Sequence, residues 1–156
     1  CHRDIFPRNV FVRHIAQTDQ SVAIDWAFAG PGAVGEELAS LVGASLAFFE
    51  AEPAHAEKLE HHCLSGYLEG LRSAGWQGDR ADVRFGYLAT YVLRYAIGTL
   101  VPVLPILLDE SKHHWAEQII RRPIAAIVEN TRITVAFQEQ RIAEVRALLA
   151  ARQARG

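Results

Sequence analysis

Two short apolar segments near the start of the chain place the strongest constraint on its fold. Residues 10–12 and 22–24 are rich in β-branched and aromatic side chains, which favour strands. The polar residues 17–20 between them are typical of a turn. The pattern predicts a β-hairpin. Because the second strand ends at Asp25, the hairpin would return this carboxylate to the residues that precede the first strand.

Those preceding residues carry side chains suited to phosphoryl transfer. Asp4 and Asn9 lie five positions apart, just before the first strand. Phosphoryl transfer from ATP requires an oriented acceptor hydroxyl and a metal ion that neutralises phosphate charge. Asp4 can orient or accept the hydroxyl proton, and Asn9 and Asp25 offer the oxygen ligands that Mg²⁺ prefers. We predict Asp4 and His2 in the catalytic loop, with His2 bracing it, and Asn9 and Asp25 as the Mg²⁺ and ATP ligands.

The same residue types also have a purely structural interpretation. Asp and Asn often cap turns, because their short side chains bond to nearby backbone groups. In that case Asp4, Asn9 and Asp25 would serve only to shape the hairpin. Arg8 has two interpretations as well, since it can contact phosphate or remain exposed to solvent.

The motif and its surroundings resemble the kinase-like phosphotransferase superfamily. The His-x-Asp-x-x-x-x-Asn spacing is followed by Ile-Asp-Trp at 24–26 and by a Gly-Pro to Glu-Leu-Ala segment at 30–39. Together they look most like the aminoglycoside phosphotransferase and choline kinase branch. The chain departs from that branch at Arg3, which is usually Gly, and at Glu37, which is usually Asp. The resemblance covers roughly residues 1–42.

The resemblance implies a function and a lobe organisation. It implies transfer of the ATP γ-phosphate to a hydroxyl of an aminoglycoside-, choline- or sugar-like small molecule, with Mg²⁺ and with GTP as an alternative donor. The chain is then expected to be the C-terminal catalytic lobe, with the N-terminal nucleotide lobe absent from it. The alternatives are a non-catalytic kinase-like binding domain, or a lobe that is inactive on its own.

The expected fold class is α+β and predominantly α-helical, with a helical bundle after the hairpin. Apolar periodicity, glycines and prolines place the helices and an irregular apolar connector. The predicted helices cover 36–50, 54–74, 80–100, 113–121 and 123–151, and the connector covers 102–105. One domain would span 1–156, with the catalytic loop and metal-binding hairpin in 1–30 and the helical acceptor-binding part in 33–156.

The composition of the chain argues against nucleic-acid and membrane partners. The net charge is −2 and half of the residues are hydrophobic, so no strongly basic nucleic-acid surface is indicated. The apolar stretch 96–108 is too short to span a bilayer, and we expect no membrane partner. Two cysteines without a motif are typical of a reduced, cytoplasmic protein. Self-association through an exposed interlobe face is a further expectation.

Three groups of side chains have both a functional and a structural interpretation. Adjacent histidines at 61–62 and 113–114 point in different directions on a helix, so a metal site is disfavoured. An aromatic stripe could line a cation pocket, but its spacing also suits core packing. Acidic groups could bind a polycation, yet charge runs are usually solvated helix faces. The aromatic residues are Trp76, Tyr87, Tyr91, Tyr95 and Trp115. The first acidic group is Glu50, Glu52, Glu57 and Glu60, and the second is Asp109 and Glu110.

Overall fold

The computed structural model describes residues 1–154. It consists of one two-stranded antiparallel sheet followed by a set of helices, which confirms the predicted α+β, predominantly helical class. The last two residues of the predicted domain, 155 and 156, lie outside the described part.

The hairpin is longer than predicted, and its turn is shorter. Strand β1 covers Val10–Ile15 and strand β2 covers Thr18–Ala23, with Val10 opposite Ala23 and Ile15 opposite Thr18. The prediction of a turn at 17–20 was therefore wrong. Polar pairs across the strands extend the ladder, because His14 Nδ1 lies 2.6 Å from Asp19 Oδ1 and Arg13 bonds to Gln20.

Within residues 1–154 six α-helices follow, and their bounds agree with the predicted ones to within a few residues except around the prolines. Helices α3 and α4 are joined without a break by a π-helical turn at Val92–Ile97. The helices are α1 (Glu36–Ala47), α2 (Ala56–Ser73), α3 (Arg80–Tyr91), α4 (Gly98–Leu107), α5 (His113–Ile120) and α6 (Ile124–Gln153).

Helices α1 and α3 approach closely because two glycines leave room for backbone. Gly35 has φ of 88° at the start of α1, and a Cβ there would lie 2.1 Å from the Val83 carbonyl oxygen. A Cβ on Gly86 would lie 2.2 Å from the Val34 carbonyl oxygen. Both contacts require glycine. They fix the start of α1, which follows directly on the predicted catalytic segment.

The core lies between α1, α2, α3 and α6. Tyr87 and Tyr91 are fully buried in it, so these two members of the aromatic stripe pack in the core rather than forming an open cation pocket. Trp115 is exposed and lies away from this cluster. The buried apolar side chains of the cluster are Leu38, Ala39, Val42, Leu46, Ala56, Leu64, Leu68, Val83, Tyr87, Leu88, Tyr91 and Phe137.

The predicted irregular connector at 102–105 is helical, and that prediction was wrong. Pro102 and Pro105 both lie inside α4. A proline removes one donor from the helix and leaves a carbonyl four residues earlier without its partner. Those carbonyls belong to Gly98 and Val101, which are both exposed, so solvent can satisfy them.

The joined helix from Arg80 to Leu107 is long and apolar enough to cross a membrane by length and composition alone. It has 28 residues, and an 18-residue window in it has a mean hydropathy of 1.5. The shorter span of 96–108 considered in the sequence therefore underestimated the helix. Core helices of soluble proteins satisfy the same two criteria, but only 11% of this window is buried. The buried residues Val83, Tyr87, Leu88 and Tyr91 lie in the first half of the helix.

Glu60 lies in a buried ion-pair network rather than on the solvated face predicted for it. Two hydrogen bonds join it to Arg141, Nε to Oε1 at 3.0 Å and Nη2 to Oε2 at 2.6 Å. Arg84 Nη1 lies 3.1 Å from Glu60 Oε1, and Arg84 also bonds to Glu144. Burial alone would raise the pKa of Glu60, but the Arg141 hydrogen bonds and both guanidinium charges outweigh it and lower that pKa. The network ties α2, α3 and α6 together.

Candidate active site

The predicted catalytic loop is joined directly to the end of the hairpin. The backbone N–H of Ile24 donates to the carbonyl of Asn9 at 3.0 Å, one step beyond the last strand pair. Asp25 follows Ile24 and adopts a left-handed conformation with φ of 60°. The hairpin thus brings Asp25 back beside the loop that contains Asp4 and Asn9, as the sequence predicts.

His2 is buried and its ring bonds to both sides of this junction. Its Nε2 lies 2.8 Å from the carbonyl oxygen of Ile24, and its Nδ1 lies 3.3 Å from the backbone nitrogen of Asp4. The Asp4 N–H can only donate, so His2 Nδ1 is the acceptor. His2 Nε2 therefore carries the hydrogen and donates to the Ile24 carbonyl oxygen. The ring also packs against Trp26, with centroids 4.5 Å apart. Both ring nitrogens are engaged, so His2 is placed to brace the loop.

Asp4 and Asn9 contact each other. The Asn9 side-chain amide donates to the Asp4 carbonyl at 2.9 Å, and its nitrogen lies 3.5 Å from Asp4 Oδ2. The Asn9 backbone N–H is used in a tight turn with the Phe6 carbonyl. Because the amide nitrogen is engaged with Asp4, the amide oxygen is the Asn9 atom that remains for a cation. Asn9 is buried, which holds its side chain in one orientation.

Arg94 is a further residue of this site that the sequence interpretation missed. Its Nη2 lies 3.4 Å from Asp4 Oδ1, and its Nη1 donates to the Arg3 carbonyl at 2.7 Å and to Ser40 Oγ at 3.1 Å. It thereby fixes the predicted catalytic loop against α1 and the π-helical turn. One signal could have revealed it, because Arg94 is the single charged residue between Arg84 and Asp109.

The Glu37 side chain holds the start of the loop by a hydrogen bond to the His2 backbone. Its Oε1 accepts a hydrogen bond from the His2 N–H at 2.5 Å, and its Oε2 lies 3.4 Å from the Tyr67 hydroxyl. The hydroxyl in turn accepts from the Gly35 N–H at 3.2 Å. Burial raises the pKa of Tyr67, so it keeps its proton and can donate to Glu37. The glutamate at this position therefore links the loop, the start of α1 and α2.

The donor set suits a magnesium ion. The predicted ligands offer one carboxylate, from Asp25, and one amide oxygen, from Asn9. Among residues 1–154 the structure has no group of three or more histidine, cysteine, aspartate and glutamate side chains arranged to hold a metal. Such a two-ligand arrangement fits Mg²⁺, which keeps several water or phosphate ligands, better than it fits zinc.

Arg8 is paired with a member of the first acidic group. Its Nε lies 2.6 Å from Glu50 Oε1, and its guanidinium lies over the Phe48 ring. The Arg8 side chain is largely exposed to solvent. The structure therefore places Arg8 in a surface ion pair beside the loop, and Glu50 is already engaged in it.

Comparison with known families decides how this site is classified. The sequence model of the phosphotransferase enzyme family matches residues 1–81, just over half of the chain. The chain belongs to the phosphotransferase enzyme family. The matched region contains the loop, the hairpin, α1 and α2. Comparisons with curated proteins and with solved structures give no significant match.

Arg3 of this phosphotransferase occupies a backbone position that favours glycine. Its φ is 64°, and its side chain bonds to Pro31 and lies 3.8 Å from Glu36 Oε1 in a half-exposed pair. Replacing Arg3 by Gly or Ala removes the same surface contacts, which contribute little. Only the alanine keeps the strain of a positive φ. We expect Arg3→Gly to be more stable than Arg3→Ala by about 1 kcal/mol in urea unfolding.

Glu69 provides the matched control for this comparison, because it is exposed in the middle of α2. There the order should reverse, with Glu69→Ala more stable than Glu69→Gly by about 1 kcal/mol. Equal stability of Arg3→Gly and Arg3→Ala would contradict a strained Arg3.

Proposed function

We propose that this chain carries the catalytic residues of an enzyme that transfers the γ-phosphate of ATP to a hydroxyl group of a small molecule. The observation that carries the proposal is the junction of Asp4, Asn9 and Asp25. A hydrogen bond joins the Asn9 amide to Asp4, and the Ile24–Asn9 backbone bond places Asp25 beside them. Membership of the phosphotransferase family supports the same chemistry.

In this proposal Asp4 orients the acceptor hydroxyl and takes its proton as the oxygen attacks the γ-phosphorus in line. The bond from the γ-phosphorus to the bridging oxygen breaks, and ADP leaves with that oxygen. Asn9 and Asp25 would hold Mg²⁺ through their side-chain oxygens. When bound with ATP, the metal neutralises the charge of the transferring phosphoryl group. Arg94 positions Asp4 by contacting the Arg3 carbonyl and the Asp4 carboxylate. His2 keeps the loop and the strand end at a fixed separation.

The acceptor is proposed only as a class, a small molecule with a hydroxyl group. A polycationic aminoglycoside needs a site lined with carboxylates. Two members of the first acidic group are already used, since Glu60 is in the buried network and Glu50 pairs with Arg8. This leaves aminoglycoside-, choline- and sugar-like acceptors as candidates of equal standing. Both cysteines are unpaired, and we place the enzyme in the reducing, ATP-containing cytoplasm.

Titration of the protein with ATP, with and without Mg²⁺, tests the metal assignment. The polypeptide should include any segment encoded upstream of Cys1, because a nucleotide lobe would contribute to binding. We expect Mg²⁺-dependent ATP binding that Asp25→Asn weakens at least about tenfold, as one carboxylate ligand is lost. Isothermal calorimetry gives the affinities. Asn tolerates the left-handed conformation of Asp25, so the fold should be retained.

Asp19→Asn is the matched control, because Asp19 is an exposed carboxylate on the same hairpin. It should leave the Mg²⁺-dependent affinity unchanged. ATP binding that is independent of Mg²⁺, or equal in Asp25→Asn and the unaltered protein, would contradict the metal role of Asp25. Complete absence of ATP binding would favour a non-catalytic, kinase-like binding domain over the enzyme.

A further inference from the structure

A cavity lies in the helical part, away from the loop and hairpin. It is half open to solvent and is lined mainly by α1, the π-helical turn, α4 and α6, and its volume is about 80 Å³. Apolar side chains form much of its wall, among them Ala47, Leu100, Val103 and Ile127. The volume exceeds what one water molecule needs several times over. Because the cavity is half open, it can hold part of a small organic molecule while the rest extends through its open side.

Buried polar atoms without partners concentrate in this cavity. Four side chains of its lining have an N or O atom that is buried and makes no hydrogen bond to any residue of 1–154: Tyr91 Oη, Asn130 Oδ1, Thr134 Oγ1 and Gln138 Oε1. Tyr91 is fully buried and Gln138 is 4% exposed. In the described part of the chain one further atom, Tyr87 Oη, shares this property. A buried polar atom that stays unpaired destabilises the folded protein, so each of these atoms favours a bound partner.

The two amides are held with their oxygens available. Gln138 Nε2 donates to the Tyr95 carbonyl at 3.2 Å, and Asn130 Nδ2 lies 3.4 Å from the Leu46 carbonyl. A carbonyl can only accept, so it must face the amide nitrogen, and this fixes which end of each amide is unpaired. The unpaired ends of the two amides are therefore their oxygens, which can only accept, while the Tyr91 and Thr134 hydroxyls can donate or accept.

The lining carries no charge. None of the cavity residues within 1–154 is Asp, Glu, Lys, Arg or His. An ion placed there would lose its hydration without gaining a counter-charge, which is strongly unfavourable. The ligand that would match this lining is a neutral molecule with an apolar body and a polar group that can both donate and accept a hydrogen bond.

We propose that this cavity binds a small, uncharged, largely apolar molecule that carries a hydroxyl or amide group. The ligand's polar group bonds to Thr134, Asn130 and Gln138, and its apolar body packs against the helices. The site is separate from the proposed phosphoryl-transfer residues, since Asp4, Asn9 and Asp25 do not line it. The proposal therefore holds whether or not the chain transfers phosphate.

Phenol and toluene are matched probes for this cavity, because they have nearly the same size and differ by a hydroxyl and a methyl group. We expect amide NMR signals of residues in the cavity wall to shift on titration of the chain with phenol. Toluene should bind at least about fivefold more weakly, since it leaves the buried acceptors unpaired. The charged benzylammonium ion should not bind there.

Two threonines on the same helix make a matched pair of variants. Thr134 has the unpaired hydroxyl, whereas the Thr131 hydroxyl, also in the cavity wall, already donates to the Ile127 carbonyl at 2.8 Å. Thr134→Val should weaken phenol binding about fivefold and leave toluene binding unchanged. Thr131→Val should leave phenol binding within about twofold. Valine has the shape of threonine, and circular dichroism verifies that both variants fold.

Three results would overturn the proposal. They are the absence of phenol-dependent shifts in the cavity wall, equal affinity for phenol and toluene, and equal loss of phenol binding in Thr134→Val and Thr131→Val. If Thr134→Val did not fold, Asn130→Leu would replace it, because it removes another unpaired oxygen from the same wall. The comparison of phenol with toluene needs no variant.

Discussion

Replacing Asp4 with Asn should reduce turnover by about 10²–10⁴-fold while ATP affinity changes less than about twofold. The amide keeps the size of the side chain and can still meet Arg94, which lies 3.4 Å from Asp4 Oδ1. It cannot accept the proton of the acceptor hydroxyl. The loss should therefore appear in kcat, because the ground-state complex with ATP does not depend on proton transfer.

The measurement is steady-state phosphate transfer to whichever hydroxyl compound the unaltered enzyme phosphorylates, with calorimetry for ATP. Asp79→Asn serves as a control, since Asp79 caps α3 through the Ala81 N–H and asparagine caps a helix equally well. It should retain full turnover. If Asp4→Asn were as active as Asp79→Asn, Asp4 would not be the catalytic residue, and the turn-capping interpretation of its motif would stand.

Replacing Glu60 with Gln should lower the free energy of unfolding by about 3–5 kcal/mol. The side chain keeps its volume, so little cavity forms, but the carboxylate that neutralises Arg141 and Arg84 is lost. Arg141 is buried and Arg84 is largely so, and Glu144 can neutralise only part of their charge. Urea unfolding followed by circular dichroism gives the difference.

The effect of Glu60 should also depend on pH in a defined direction. The Glu60 pKa is lowered in the folded protein, so its contribution is present above the ordinary carboxyl value of 4.5. It is lost as pH falls through the folded pKa. The difference between Glu60→Gln and the unaltered protein should therefore be full at pH 7 and shrink below about 4.5.

Glu129→Gln is the control, because Glu129 forms an exposed pair with Arg132 on α6. Exposed pairs contribute little, and no measurable loss of stability is expected at any pH. A loss as large as that of Glu60→Gln would show that burial is not what makes the Glu60 network important. A Glu60→Gln effect that stayed constant down to pH 3 would contradict the lowered pKa.

Local patterns in the sequence were sufficient for the hairpin and the helices. The hairpin follows from strand propensity in neighbouring residues, and the helices follow from apolar periodicity. The proximity of Asp25 to Asn9 could be predicted because one short hairpin connects them. Helix α4 could not be predicted, because proline ordinarily ends a helix. The structure shows that α4 is exposed around Pro102 and Pro105, which explains why the prolines are tolerated.

The supporting contacts of the site could not be predicted because they join residues far apart in the chain. Arg94 meets Asp4 across 90 positions, and Glu37 meets the His2 backbone across 35. Arg141 meets Glu60 across 81 positions, which made a buried glutamate look like part of a solvated acidic run. Each of these contacts depends on how helices pack, and a single sequence contains no direct record of that packing.

The π-helical turn at Val92–Ile97 contributes residues both to the support of the predicted catalytic loop and to the wall of the cavity in the helical part. Consecutive residues in it serve different places, because Arg94 bonds to the catalytic loop and Tyr95 lines the cavity. A π-helical turn holds more residues than an α-helical one. Deleting one residue there would convert the wide turn into an ordinary α-helical turn and would change which residue faces the loop and which faces the cavity. An insertion or deletion in this one turn would therefore move the support of Asp4 and the wall of the cavity together.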